Sequence, residues 1–198
     1  HHGQAPRHGK LQIHEVSGFG DRLHVDLTGP HPVSRQGRKF LMTAIDACTR
    51  FLVVVPLRNK SAEAVADVLV EHVFLPFGAW RSLVTDCGKE FINKILDSTT
   101  KLLGIKKLKT TVYRPSSNGR IERVHAVLNT LLAKTISDNQ KDWQERLISV
   151  VAAYNAAYHE ALGYSPYYML YGRNYCTPLD LQFDWPDDRK LPRDEHKY

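Results

Sequence analysis

The spacing of the hydrophobic residues changes near position 61, and this change restricts the fold more than any other feature of the 198-residue sequence. Before it, alternating apolar and polar residues, many of them β-branched, predict three strands, at 22–27, 39–46 and 50–57. The short link between the second and third strands predicts an antiparallel hairpin. After it, apolar residues recur three or four positions apart from Ala62 to Val73, which predicts a helix with Ser61 as its N-cap.

The rest of the sequence switches repeatedly between the two kinds of spacing. It predicts strands at 80–85 and 105–112 and helices at 90–103, at 121–135 and at 142–158. Asp142 and Glu145 have the spacing of a capping box at the start of the last helix. Three consecutive strands followed by alternating helices and strands predict an α/β domain, in which a mixed sheet is flanked by helices.

The two ends of the chain lack these patterns. Residues 1–18 begin with two histidines rather than methionine and show no periodicity, so we interpret them as a linker or the remnant of a tag. Residues 19–174 carry the predicted strands and helices and form the predicted folded core. Residues 175–198 are rich in proline, aspartate and charge, which is typical of a tail or an interdomain linker.

Several classes of protein are disfavoured by motifs that the sequence lacks. The longest apolar run, Phe51–Pro56, is too short to cross a membrane, and no signal-peptide pattern opens the chain. The three cysteines form no CxxC pair, which disfavours a structural zinc site or a disulfide framework. The glycine-rich motifs of Rossmann and P-loop nucleotide sites are missing from the sequence.

The net charge of +6 is unevenly distributed along the chain. Residues 1–60 carry a net charge of +5 and residues 101–146 a net charge of +6, whereas residues 61–100 carry −3. Positive charge concentrated in two segments suits a polyanionic partner such as nucleic acid. A solvated basic face without a ligand would give the same distribution, so charge alone leaves both interpretations open.

Three acidic residues lie where predicted strands and helices end or begin. Asp26 closes the first strand, Asp86 closes the fourth, and Glu122 lies in the first turn of the long helix. Fifty-nine residues separate the first two acids and thirty-five separate the last two. Side chains at strand ends often carry function in α/β sheets. Each acid also has an ordinary structural explanation, because aspartate favours turns and glutamate is stabilised at helix N-termini.

The residues around these three acids match a known pattern. The matching segments are His24–Pro30, Thr85–Phe91, Tyr113–Arg123, Trp143, Tyr154–Asn155 and Ser165–Gly172. In their order and spacing they resemble the catalytic core of retroviral and LTR-retrotransposon integrases, the D,D(35)E family, and are most similar to gypsy-type elements and spumaviruses. The resemblance covers roughly residues 20–173 and implies a ribonuclease H-like fold with a five-stranded mixed sheet flanked by helices.

The resemblance implies metal-dependent chemistry on DNA. Asp26, Asp86 and Glu122 would be the catalytic residues and would bind two ions of Mg²⁺, or of Mn²⁺ in its place, when DNA is bound, with Asp26 bridging both ions. The implied reactions are 3′-end processing of the retroelement DNA and strand transfer into target DNA. Residues near Glu122 are implied to contact DNA: Tyr113, Arg114, Ser116, Ser117, Asn118, Gly119, Arg120 and Arg123.

The implied partners are double-stranded DNA, namely the retroelement ends and the target, and a second copy of the chain. The core is expected to form a homodimer through the helices at 61–74 and 142–159, and a higher multimer in the full-length protein, with no membrane partner. The implied location is the nucleus, with a cytoplasmic or particle-associated precursor. Two other interpretations stay open: a transposase or nuclease of the same superfamily, and a host-domesticated integrase that only binds DNA or protein.

Overall fold

The computed structural model describes residues 16–85, 97, 100–101, 103–104, 130–131, 133–135 and 141–182, and the backbone of 106–109. Within these ranges the chain forms one five-stranded sheet with helices packed on both of its faces. No helix in the same ranges is both long enough and apolar enough to cross a membrane.

The sheet has the strand order β3-β2-β1-β4-β5, so β1 lies at its centre. The strands are β1 (Arg22–Thr28), β2 (Phe40–Asp46), β3 (Leu52–Leu57), β4 (Ser82–Thr85) and β5 (Lys106–Lys109). The first three strands pair antiparallel, whereas β4 pairs parallel with β1 and β5 pairs parallel with β4. The predicted mixed sheet of five strands, including the hairpin of β2 and β3, is therefore confirmed.

One face of the sheet is covered by the helical segment that follows β3. This segment consists of α1 (Ala62–Leu69), a π-helical turn (Val70–Phe74) and the short α2 (Leu75–Phe77). Ser61 is the N-cap, as predicted, since its hydroxyl accepts the N–H of Ala64 at 3.2 Å. The core on this face contains the buried residues Leu23, Val25, Met42, Val55, Val65, Leu69 and Val73.

The opposite face is covered by α3 (Trp143–Ala156), which confirms the predicted helix but ends two residues earlier than expected. Its apolar stripe packs directly on the sheet. The buried contacts on this face join Trp143, Leu147 and Tyr154 of the helix to Leu41, Ile45 and Leu52 of the strands. The sheet is thus enclosed between α1 and α3, and both helices fix its strands in place.

The predicted capping box at the start of α3 is wrong. Asp142 occupies the N-cap position, but its side chain accepts no N–H of the helix. Its carboxylate instead pairs with the guanidinium of Arg35, whose Nε and Nη2 lie 2.7 and 3.2 Å from the two carboxylate oxygens. Because these residues are 107 positions apart, local spacing could not indicate the pair.

The segment Ser165–Gly172 forms a short capped helix, α4 (Pro166–Tyr171). The hydroxyl of Ser165 accepts the N–H of Tyr168, and proline stands at the first helical position, where its missing N–H is not needed. Gly172 ends the helix with a φ of +66°, a conformation that favours glycine. Helix capping therefore accounts for this part of the sequence pattern. A further short helix, α5 (Pro178–Gln182), lies within the predicted tail.

Two predicted helices fall only partly within the described residues. Residues 97, 100 and 101 are helical, as are 130, 131 and 133–135, in agreement with the helices predicted at 90–103 and 121–135. Leu103, the last residue of the first predicted helix, lies in a turn, and the remaining residues of both segments lie outside the described residues. The division of the chain into 1–18, 19–174 and 175–198 stays a prediction.

A side chain of α3 protects the edge strand β3. The Oδ1 of Asn155 accepts the N–H of Leu52 and its Nδ2 donates to the carbonyl oxygen of the same residue, both at 2.9 Å. The amide thus makes the two hydrogen bonds that another strand would make. Further along, Pro56 has no N–H, and its carbonyl oxygen accepts the Nη1 of Arg38. These contacts leave the outer edge of β3 little capacity for pairing with another chain.

A buried carboxylate joins three segments at the end of β2. Asp46 is 1% exposed, and its Oδ1 accepts the backbone N–H of Cys48, the backbone N–H of Thr49 and the hydroxyl of Thr49, at 3.0, 2.7 and 2.9 Å. Its Oδ2 accepts Nε1 of Trp80 at 2.8 Å and the N–H of Gly20 at 3.2 Å. Asp46 therefore connects β2 with the segments that precede β1 and β4.

Candidate active site

Asp26 lies in the C-terminal half of the central strand β1, on the face of the sheet that α3 covers. The alternation of the strand places it there, since its neighbours Val25 and Leu27 pack in the core beneath α1. The side chain is half-buried. One carboxylate oxygen accepts the N–H of Leu27 at 2.8 Å, and the hydroxyl of Thr43 in β2 donates to the carbonyl oxygen of Asp26 at 3.5 Å. A strand paired on both sides therefore holds this carboxylate.

The parallel pairing of β1 with β4 brings the carboxyl ends of two strands together. His24 lies opposite Val84, and Val25 lies opposite Thr85. Both strands therefore end at the same edge of the sheet. Asp86 is the next residue in the sequence after Thr85 and lies outside the described residues.

The other predicted site residues also lie outside the described residues. They are Glu122 and the predicted DNA contacts Tyr113, Arg114, Ser116, Ser117, Asn118, Gly119, Arg120 and Arg123. In the part of the chain that the structure describes, no three His, Cys, Asp or Glu side chains come close enough to hold a metal ion. The convergence of Asp26, Asp86 and Glu122 therefore stays a prediction, and Asp26 is the acid whose position is given.

A tight turn follows β1 and explains the glycine in the segment Thr28–Pro30. Gly29 has a φ of +119°, and a Cβ atom at this position would lie 2.6 Å from the carbonyl oxygen of Lys39. The same oxygen accepts the N–H of His31 at 2.6 Å. A side chain at position 29 would therefore separate the turn from the start of β2, so glycine is required there.

His31 extends the candidate site beyond this turn. Its Nε2 lies 3.1 Å from the hydroxyl of Thr28, and its ring centre lies 6.0 Å from the ring centre of Trp143. Burial lowers the pKa of His31 below its usual value of 6.5, so the neutral ring is favoured near pH 7. Thr28 and Asp26 are two residues apart on one strand and project from the same face. His31 is therefore a neutral hydrogen-bonding group beside the strand end that carries Asp26.

The loop that follows Asp26 is anchored to the start of α3. Trp143 is 1% exposed, and its Nε1 donates to the carbonyl oxygen of Pro32 at 2.8 Å. The hydroxyl of Ser34 donates to Oε1 of Gln144 at 3.0 Å. These contacts fix the loop on the same side of the sheet as Asp26.

Two parts of this arrangement are not among the site residues predicted from the sequence. His31 belongs to none of the motifs considered, although it follows the candidate catalytic strand by only a few residues. Trp143 belongs to the matching pattern, but its partner Pro32 is 111 positions away. The position of His31, five residues after Asp26 in the sequence, is a local pattern that could have indicated its role. No local pattern could have indicated the contact between Trp143 and Pro32.

Asp26 offers the kind of ligand that Mg²⁺ and Mn²⁺ prefer, since carboxylate oxygens are hard donors. Its half-buried position on a fixed strand keeps the carboxylate in place while leaving part of the side chain accessible. A divalent ion needs several oxygen ligands, and Asp86 and Glu122 are the predicted further ones. The donor chemistry of Asp26 therefore fits the metal that the family resemblance implies.

Comparison with known proteins relates this arrangement to one family. Residues 18–115 match the family model of the integrase core domain. The chain is 34% identical over 158 residues, 80% of its length, to the retrovirus-related Pol polyprotein from transposon 412 of Drosophila melanogaster. It is 32% identical over 174 residues, 87% of its length, to the Pol polyprotein of Radiation murine leukemia virus (strain Kaplan). It spans 13% and 29% of the lengths of these two relatives.

Solved integrase cores share the fold. The catalytic core domain of BIV integrase matches with a TM-score of 0.61 at 22% identity, over 76% of this chain and 93% of that one. The catalytic core domain of HTLV-2 integrase, solved with magnesium in a trimeric form, matches with a TM-score of 0.63 at 14% identity, over 79% of this chain and 100% of that one. The predicted ribonuclease H-like fold is therefore confirmed.

Proposed function

The chain belongs to the integrase core domain family of retroviral and retrotransposon Pol proteins, and from this membership we propose that it cleaves and joins DNA phosphodiester bonds. The proposed reactions are 3′-end processing of the retroelement DNA and strand transfer of its ends into target DNA. Because chromosomal DNA is the target, the proposed place of action is the nucleus, with a cytoplasmic or particle-associated precursor.

The observation that carries this proposal is the register between β1 and β4. Val25 lies opposite Thr85, the last described pair of this ladder. If the ladder continues by one residue on each strand, Asp86 lies opposite Asp26. Neighbouring strands are about 4.8 Å apart, and residues directly opposite each other project from the same face of a sheet. The proposal requires this one-residue extension of the ladder. Two carboxylates so close together favour a bound cation, because their charges otherwise repel each other.

Each acid has a role in the proposed reaction. Asp26 and Asp86 would hold one divalent ion, and Asp26 and Glu122 would hold a second. When bound, two such ions activate the attacking water or hydroxyl and stabilise the leaving oxygen of the phosphodiester. Asp26 is suited to be the shared ligand because it lies on the central strand β1, which pairs with β2 at Asp26 itself and with β4 up to Val25. The HTLV-2 core, which has the same fold, was solved with magnesium.

The proposed DNA contacts beside Glu122 combine cations, hydroxyl and amide groups and one aromatic ring. They are Tyr113, Arg114, Ser116, Ser117, Asn118, Gly119, Arg120 and Arg123. Such groups suit phosphate binding and stacking on an unpaired terminal base. The surrounding segment 101–146 carries a net charge of +6, which favours a polyanion in the same place.

We also propose that two copies of the core associate through α1 and α3. Ile148 on α3 is 76% exposed and Tyr158 just beyond it is 68% exposed, while Ala153 and Ala157 are exposed as well. These groups point away from the sheet, and aromatic and apolar side chains of this kind are typical of protein interfaces. A second copy of the chain is the proposed occupant, with a higher multimer in the full-length protein.

The proposed activity is tested by the reversal of strand transfer on a branched DNA, which needs no knowledge of the retroelement's end sequence. We compare the wild type with Asp26→Asn and with the control Asp67→Asn, which makes the same charge change on the exposed face of α1. The wild type and the control should act in Mg²⁺ and fail in EDTA. Asp26→Asn should lose about a thousandfold in rate, which corresponds to about 4 kcal/mol.

Two results would contradict the proposal. The first is an Asp26→Asn variant that stays folded and keeps the wild-type rate, which would show that this carboxylate is not in the active site. The second is a wild type that binds DNA without metal-dependent cleavage or joining, for which a domesticated binding protein is the better interpretation. Thermal unfolding of both variants shows whether any loss of rate reflects a loss of structure.

A further inference from the structure

A group of basic residues lies at the sheet edge where β1 ends. Phe40, the first residue of β2, pairs with Leu57, the last residue of β3, so the residues just outside these two strands are neighbours. Lys39 precedes β2, and Arg58 and Lys60 follow β3; all three are exposed. We call these three residues the basic edge.

Two of these cations lie close to the same aromatic ring. The Nζ of Lys39 lies 5.7 Å from the ring centre of Phe40, and the Nζ of Lys60 lies 5.9 Å from the same ring centre. Phe40 is itself buried in the core beneath α1, and this packing holds its ring in place. Cation–π attraction offsets part of the repulsion between the two ammonium groups and keeps both at this edge.

From this geometry we propose that the basic edge binds the phosphate backbone of the DNA on which Asp26 acts. Exposed ammonium groups bind phosphates as point charges and guanidinium groups bind them through paired hydrogen bonds, and neither needs a shaped pocket. The inference rests on the proposed function, since it assumes that DNA lies at this edge of the sheet. It adds a contact surface separate from the predicted DNA-binding residues 113–123.

The sheet register sets how far along the DNA this contact falls. Asp26 lies opposite Thr43 in β2, and Lys39 precedes Thr43 by four residues, so Lys39 lies nearer the end of the sheet at which β1 stops. Four residues of a strand span about 13 Å. The proposal places the axis of the duplex along β2, and since DNA rises about 3.4 Å per base pair, this span then corresponds to about four base pairs. The basic edge should therefore contact a phosphate about four base pairs from the bond that is cut or joined.

The first test is the salt dependence of binding to a duplex. We compare the wild type, the double variant Lys39→Gln/Lys60→Gln, and the control Arg81→Gln/Arg173→Gln, which removes two exposed cations elsewhere on the surface. The plot of log affinity against log salt should be less steep by about 1.8 for the double variant, about 0.9 for each lost phosphate contact. The control should keep the wild-type slope. Equal slopes for the wild type and the double variant would overturn the proposal.

The second test locates the contact on the DNA. A neutral methylphosphonate replaces single phosphates three to five base pairs from the reacting bond of the branched substrate. Wild-type affinity should fall at one of these positions, whereas the affinity of Lys39→Gln/Lys60→Gln should not fall further there. Equal losses for both proteins, or equally tight binding of the wild type to polyglutamate, would contradict a DNA contact at the basic edge.

Failure of this inference and failure of the proposed function are distinguishable. If the wild type cleaves and joins DNA in Mg²⁺ but the double variant keeps its salt slope, only the basic edge is excluded. If the wild type shows no metal-dependent activity, the proposed function fails whatever the slope. Thermal unfolding of the double variant should match the wild type, because exposed charges contribute little to stability.

Discussion

At the scale of single residues, the contrast between Asp26 and Asp46 separates a candidate catalytic group from a structural one. Both close a strand in the sequence, and sequence spacing alone gives no reason to treat them differently. Asp26 is half-buried, whereas Asp46 is 1% exposed and accepts five hydrogen bonds from backbone and side-chain donors. A carboxylate surrounded in this way serves stability, because its oxygens are already occupied.

We expect Asp46→Asn to destabilise the fold strongly. The amide replaces one oxygen by an NH₂ group, which would face N–H or O–H donors and leave them unsatisfied in the interior. The free energy of unfolding should fall by about 2–4 kcal/mol, measured by urea denaturation. The exposed control Asp67→Asn should change it by less than about 0.5 kcal/mol. A loss at Asp46 as small as that of the control would show that the network contributes little.

At the scale of strands and helices, the sequence predicted the elements well and their contacts poorly. The strands, the Ser61 cap and the placement of α3 follow from local spacing and are confirmed. The prediction of a capping box at Asp142 is wrong because its carboxylate pairs with Arg35, which is distant in the sequence. Local spacing also could not indicate the role of Asn155. Its amide makes the hydrogen bonds of a neighbouring strand only because the tertiary fold places α3 beside β3.

Asn155→Asp should therefore destabilise the edge strand β3. The carboxylate can still accept the N–H of Leu52, but its second oxygen would face the carbonyl oxygen of the same residue and repel it. We expect a loss of about 2–3 kcal/mol in urea denaturation and more association of partly unfolded chains in light scattering. The control Asn59→Asp should be nearly neutral, because the Oδ1 of Asn59 only accepts, from Ser61. Similar behaviour of both variants would refute this role.

At the scale of the whole molecule, several residues of the family motifs stabilise the fold. Trp143 anchors the loop behind Asp26, Asn155 closes the sheet edge, and Ser165 begins a capped helix. The fold could be predicted because its pattern is spread along the chain. The assembled site stays a prediction, because it depends on where Asp86 and Glu122 lie relative to Asp26, and those two lie outside the described residues.

The proposed dimer predicts a specific change in mass. Ala153→Glu places a charge on the exposed face of α3 and should weaken self-association at least about tenfold, which is about 1.4 kcal/mol, in sedimentation velocity. Ala79→Glu makes the same substitution at an exposed position between α2 and β4 and should leave association unchanged. A wild-type core that sediments as a monomer at its highest soluble concentration would contradict the dimer, without affecting the catalytic proposal.

The most direct test of the central claim is the anomalous diffraction of crystals of the chain soaked in Mn²⁺. We predict a manganese peak about 2.0–2.6 Å from a carboxylate oxygen of Asp26, with oxygens of Asp86 or Glu122 as further ligands. Crystals of the Asp26→Asn variant soaked in the same way should show no manganese peak at this position. A wild-type structure in which the three carboxylates point to separate surfaces, with no manganese at Asp26, would contradict the account.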